Sequence, residues 1–165
     1  AANTSFTDLT GYKIFKFVFT DINPATDNTR LKINFSADGG STWVTKTSTY
    51  FRALHDESDT NAQLGYDSGD DLAQSTASQS LCHGIGSAAN ECGAGDLLLF
   101  SPTSTTYVKH WYSTMQVYYP ATGGFSIESF TSGYCNTTSA INYVKFEAAS
   151  GNFDGTIKQY GLVAA

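Results

Sequence analysis

Charge is scarce in this chain. Only 15% of its 165 residues are Asp, Glu, Lys or Arg, against roughly 25% in an ordinary soluble domain. Basic residues number nine and are nowhere clustered, and the net charge is −6 with an isoelectric point near 4.8. A nucleic-acid binder needs a basic face to displace counterions from phosphates, so DNA, RNA and anionic membrane surfaces are not expected as partners. Long apolar runs are missing too. The longest, Leu97-Leu98-Leu99-Phe100, falls far short of the roughly 20 residues of a membrane-spanning helix, so no membrane insertion is expected. There is one Met, and Glu and Lys are few, which argues against helical bundles and coiled coils. The three cysteines, Cys82, Cys92 and Cys135, are too few for a disulfide framework. No CxxC or HxxxH spacing accompanies His83 toward a zinc site. Three reduced, mostly buried thiols are expected, a Cys82–Cys92 bridge closing a short loop being the alternative. The N-terminal Ala1-Ala2-Asn3-Thr4 is not a signal peptide. The absent initiator Met and the Ala-Ala pair at each end fit a processed chain or a piece of a longer one.

What is abundant is equally informative. Aromatic residues make up 14%, and 39 of 165 residues are Thr or Ser. Thr, Tyr and Phe suit a pleated, half-buried surface, and so many aromatics rule out a solvated coil. In residues 12–20, Phe15, Phe17 and Phe19 share one face, with Tyr12, Ile14, Lys16 and Val18 on the other. Residues 30–36 alternate more cleanly, with Leu31, Ile33 and Phe35 inward. Asp38-Gly39-Gly40-Ser41 then reads as a hairpin turn into a Thr-rich strand, so Leu31–Thr49 is expected to form a β-hairpin. Tyr50–His55 continues as a strand. The polar, acidic stretch Asp56–Gln79 reads as a surface excursion, with room for a short helix. Leu97–Phe100 is a short buried strand stopped by Ser101-Pro102. Thr105–Tyr119 places Tyr107, Trp111, Met115, Val117 and Tyr119 on one face, and Val108, His110, Tyr112 and Tyr118 on the other. Phe125–Thr131, Ile141–Ala148 and Thr156–Val163 complete the set. About eight to ten short strands separated by turn chemistry predict a single all-β domain over 1–165, a β-sandwich of jelly-roll type.

Catalytic patterns are absent from the sequence. There is no GxSxG elbow, the three histidines sit in dissimilar contexts, and no two acids are paired by spacing. Each histidine is expected to be buried and hydrogen-bonded, and the protein is expected not to be an enzyme. Two constellations remain. Six of the fifteen acids fall between Asp56 and Asp71. Clustered carboxylates are solvated, hold a cation or face a basic partner. Asp67, Asp70 and Asp71 are the candidate ligands for calcium, the one cofactor the chain suggests. Asp56, Glu57 and Asp59 are candidates for a partner contact. The second constellation is aromatic: Trp111, Tyr112, Tyr118 and Tyr119 could stack on the C–H face of a pyranose, pack into the core, or line a subunit interface.

Several segments together carry a resemblance. They are Phe15–Phe19 with Asn23-Pro24-Ala25-Thr26-Asp27, Phe51–Glu57, Gly65–Gln74, Phe100–His110, Gly133–Asn142, and the ending Gly155–Leu162. In these the chain resembles a β-rich domain of structural proteins from marine tailed bacteriophages, of tail-fibre or decoration type. It departs from that domain at Lys158-Gln159 and in the segment Cys82–Cys92. The resemblance implies location in the virion, other virion proteins as partners, a homotrimer, and a non-catalytic role. That role is either host-surface attachment, with a glycan as the ligand, or stabilisation of the head as a capsid decoration protein. A polysaccharide-degrading enzyme is the third class.

Overall fold

A computed structural model describes residues 1–163. It contains eleven strands: β1 (Asn3–Phe6), β2 (Ile14–Pro24), β3 (Leu31–Ser36), β4 (Lys46–Asp56), β5 (Ala62–Tyr66), β6 (Gln79–Ser80), β7 (Gly93–Phe100), β8 (Lys109–Tyr119), β9 (Phe125–Cys135), β10 (Tyr143–Ala148) and β11 (Phe153–Leu162). No helix is present among the described residues, so none is long and apolar enough to cross a membrane. The strands form two antiparallel sheets, a smaller one in the order β1-β10-β3-β6 and a larger one in the order β11-β2-β7-β8-β9-β4-β5. The fold is all-β, two sheets packed as a sandwich. Strands β1, β5 and β6 fall outside the segments marked by alternation, because they are short and polar or exposed on both faces.

The alternating faces land where the pattern puts them. Phe15, Phe17, Phe19, Leu31, Ile33 and Phe35 are all buried. They meet Trp111, Met115 and Val117 of β8 and Val144 and Phe146 of β10 in one core. Phe146 sits at the centre, with its ring 5.3 Å from Phe17 and 5.2 Å from Phe19, both edge-on, the geometry that ring quadrupoles favour. Phe35 crosses to Trp111 at 5.8 Å, tying the small sheet to the large one.

The hairpin expected over Leu31–Thr49 does not form. β3 pairs with β10 and β6, whereas β4 pairs with β9 and β5. The segment between them crosses from one sheet to the other. Most of its side-chain hydrogen bonds are local. Ser36 Oγ donates to Asp38 at 2.6 Å, and the Asp38 carboxylate accepts from the Thr42 main chain at 2.9 Å and its hydroxyl at 2.6 Å. Those bonds hold the Asp38 carboxyl down at about 2. Gly39 and Gly40, at φ +75° and +93°, supply the left-handed backbone that such a turn needs whether it closes a hairpin or a crossover.

β7 begins four residues earlier than its apolar run. Gly95 lies opposite Met115, and a Cβ there would come within 2.1 Å of the Thr114 carbonyl oxygen. A side chain is excluded, so the strand reads as a loop by composition.

Candidate functional site

The outer face of the larger sheet carries the surface chemistry. Strand alternation and register set its layout. Phe100 of β7, His110 and Tyr112 of β8, Ser132 and Tyr134 of β9, and Thr47 and Thr49 of β4 all project outward. The pairs Tyr112↔Ser132, His110↔Tyr134, Thr49↔Ser132 and Thr47↔Tyr134 bring them side by side. They line an open depression of about 320 Å³. Phe100 and Tyr112 form a tilted pair at 5.8 Å, and His110 and Tyr134 a second at 6.3 Å. Tyr112 is 46% exposed, far more than a core tyrosine. Hydroxyls border the aromatics: Thr49 and Ser132 are hydrogen-bonded to each other at 2.8 Å. Gln74 is bonded to two of the lining residues, donating to Thr47 Oγ1 at 2.8 Å and to the Tyr134 hydroxyl at 3.4 Å, and it accepts from Asn136 at 2.9 Å. Aromatic faces ringed by neutral donors and acceptors suit a ligand with apolar C–H faces and hydroxyl edges.

Of the four aromatics proposed from the sequence, Trp111 and Tyr112 both line the depression, but only Tyr112 turns its ring toward it. Trp111 points the other way and is 2% exposed. Its ring lies over Gly133 in the core, where any Cβ at Gly133 would come within 2.9 Å of the indole. Tyr119 also faces inward, packing against His83 at 4.7 Å and Phe125 at 6.0 Å. Tyr118 projects outward but at the far end of β8, near Gly124 and Glu57. Phe100, His110 and Tyr134 complete the depression, and no local sequence pattern singles them out. They come from three strands, and only the register brings them together. His110 is exposed and part of the depression, not a buried core histidine. His55 is exposed as well, 3.2 Å from Asp59.

The acidic stretch is not one site. Asp67 faces Arg52 at 3.4 Å and Asp70 faces Arg30 at 3.0 Å, while Asp71 accepts from the Tyr66 hydroxyl. Three carboxylates held by three different partners do not converge as calcium ligands. Among the described residues no group of three or more His, Cys, Asp or Glu side chains is placed to hold a metal ion. Asp56 is buried rather than offered to a partner. Its carboxylate closes its own turn, accepting from the Ser58 and Thr60 hydroxyls and the Thr60 and Asn61 main-chain N–H groups, which holds its carboxyl far below the usual range. Glu57 and Asp59 are exposed. Asp56–Gln79 contains the exposed strand β5, and it is not wholly a surface excursion, since its last residue Gln79 is buried against β3.

Buried titratable groups lie at the opposite pole of chemistry. Lys46 and Lys109 both sit opposite Cys135 in register, and all three are fully buried. Lys46 donates to Asn34 Oδ1 at 2.6 Å and the Val44 carbonyl at 3.1 Å, and Lys109 to the Thr137 carbonyl at 3.1 Å. Burial pulls Lys46 down to about 8 and lowers Lys109, and it pushes the Cys82 and Cys135 thiols up to about 12. Such thiols are inert, since the thiolate is the nucleophile. The three cysteines are free, with Cys92 partly exposed. His83 is pulled down to about 4 by burial and by the Arg52 and Arg30 charges, so its imidazole is neutral at neutral pH.

No family model matches the chain, and neither a curated protein nor a solved structure does.

Proposed function

We propose that the protein is a non-enzymatic module of a bacteriophage virion surface that attaches to the host by binding a glycan in the depression around Tyr112. The observation that carries the binding step is the pairing of an aromatic platform, half-exposed Tyr112 beside partly buried Phe100, with a neutral rim of Thr47, Thr49, Ser132 and Tyr134. A pyranose lays its C–H face on the ring of Tyr112, and its hydroxyls exchange hydrogen bonds with the rim. No charged side chain lines the depression, which favours neutral sugars over phosphorylated or sulfated ones. The virion location rests on the resemblance described above and on a low-charge, hydroxyl-rich composition.

A panel of immobilised neutral and acidic glycans tests this. The unmodified chain should bind at least one neutral class, and Tyr112→Ala should weaken that binding roughly tenfold, the effect of losing about 1.4 kcal/mol of stacking and burial. Absence of binding across the panel, or retention of full affinity by Tyr112→Ala, would overturn the proposal.

A further inference from the structure

The larger sheet overhangs the smaller one. Phe6 of β1 meets Phe17 of β2, Phe35 of β3 meets Trp111 of β8, and Gln79 of β6 meets Ser48 of β4. The smaller sheet ends there, and β5 extends beyond it. All five residues of β5, Ala62-Gln63-Leu64-Gly65-Tyr66, are exposed, with Leu64 at 75% and Tyr66 at 57%. On its inner side lies an open concavity of about 270 Å³ between Arg52, Leu54 and Gln63, where a facing sheet would otherwise sit.

The backbone of β5 has an open side. Asp56 N donates to Asn61 O and Asp67 N to Tyr50 O, both at 3.0 Å, and Arg52 and Leu54 lie opposite Gly65 and Gln63. In an antiparallel pair the hydrogen-bonded partners exchange both bonds. Odd-numbered residues therefore turn their N–H and C=O toward β4. Ala62, Leu64 and Tyr66 turn theirs away from the sheet. Natural edge strands are shielded by a Lys, a Pro, a bulge or shortness. β11, at the other edge, carries Lys158 and a register shift between Asp154 and Thr156 with Gly155 at φ +117°. β1 and β6 are four and two residues long. β5 carries no Lys, Pro or bulge, and residues 60–66 contain no charged side chain.

We infer that β5 is the dimerisation edge of this protein, a two-fold contact in place of the trimer that the resemblance implies, pairing antiparallel with β5 of a second copy across an axis through Leu64. In that register Leu64 meets its own copy, and Ala62 meets Tyr66 at both ends. The three outward N–H and C=O pairs of each chain then find partners, giving six main-chain hydrogen bonds with no unmatched group. Leu64 and Tyr66 project from the outer face, as do Ala53 and Phe51 opposite them. Pairing thus clusters these apolar groups about the axis, where Phe51 already stacks on Phe130 at 4.8 Å. Two of the flanking carboxylates are neutralised within their own chain, Asp67 by Arg52 and Asp70 by Arg30, and Asp71 is held by the Tyr66 hydroxyl. A second copy is the occupant because its edge presents the same three residues in a self-complementary register, the requirement of an isologous contact. A five-residue edge is a small interface, so association belongs at micromolar protein.

Sedimentation equilibrium of the full chain between about 1 and 100 µM, the concentration range of weak interfaces, tests this. The unmodified protein should reach twice its 17.7 kDa mass. Leu64→Pro removes an N–H that points away from β4 and no core side chain, so it should remain monomeric with an unchanged melt. Leu64→Lys keeps every main-chain group and places two ammonium groups at the axis. It should also remain monomeric, and it replaces the proline variant if that chain fails to fold. A monomer at every concentration, a trimer, or a dimer that survives Leu64→Lys would each overturn the inference. Tyr112→Ala should leave the dimer intact, so failure of the glycan proposal and failure of this one are separable.

Discussion

Lys46 makes stability depend on pH in a way that its substitution should erase. Its ammonium is fully buried, with only neutral oxygens from Asn34 and Val44 around it. Burial lowers its pKa from 10.5 to about 8. The unfolded chain therefore holds this proton over a range where the folded chain has released it, and stability rises with pH across that range. Below about pH 8 Lys46 is charged in both states and the full penalty of burying the charge applies. From about pH 7 to about pH 9, one unit past the shifted value, the Lys46 contribution should improve by roughly 1.4 kcal/mol. Two buried thiols and Tyr50 act in the opposite sense, because burial raises their pKa values and the unfolded chain ionises first. Comparison with Lys46→Met removes these common terms. Denaturant unfolding of both chains at matched pH values should show the unmodified protein gaining on the variant by that amount over the two pH units. Parallel curves would refute the assignment of Lys46 as a buried, unpaired cation.

Three further outcomes follow from the packing. Phe35→Ala should cost roughly 3–5 kcal/mol in urea unfolding, as for buried aromatics generally; a loss below about 1 kcal/mol would mean that its contact with Trp111 is not part of the core. Gly95→Ala should destabilise by well over the approximate 1 kcal/mol of an average substitution, since its Cβ has no space beside Thr114 and Met115; a neutral effect in the same assay would contradict the β7–β8 register. A thiol reagent should modify Cys92 alone in the folded protein and all three cysteines after unfolding, and rapid labelling of Cys82 or Cys135 in the native state would contradict their burial.

The core was readable because it obeys a local rule. Phe15, Phe17 and Phe19, and Leu31, Ile33 and Phe35, alternate with period two, and both sets are buried. The same rule sorts the aromatics of β8, since Trp111 and Tyr119 share parity with Met115 and Val117, whereas Tyr112 does not. Pairing was less legible. Asp38-Gly39-Gly40-Ser41 has the chemistry of a tight turn, and that chemistry is the same for a hairpin and for a crossover between sheets. The acids misled for a related reason: proximity in sequence suggested a shared site, but Arg30, Arg52 and Tyr66 draw Asp70, Asp67 and Asp71 apart. The depression depends on the register of four strands, β4, β7, β8 and β9, and no local pattern encodes that.

Chemical-shift mapping tests the central claim most directly. An isotopically labelled sample is titrated with a neutral oligosaccharide selected on the glycan panel. The account predicts that the largest changes fall on Thr47–Thr49, His110–Tyr112 and Ser132–Tyr134, with aromatic resonances of Tyr112 and Phe100 shifting at the same ligand concentration. Shifts confined to the smaller sheet, to β5 or to the segment Asp67–Asp71, with those three groups unmoved, would contradict it.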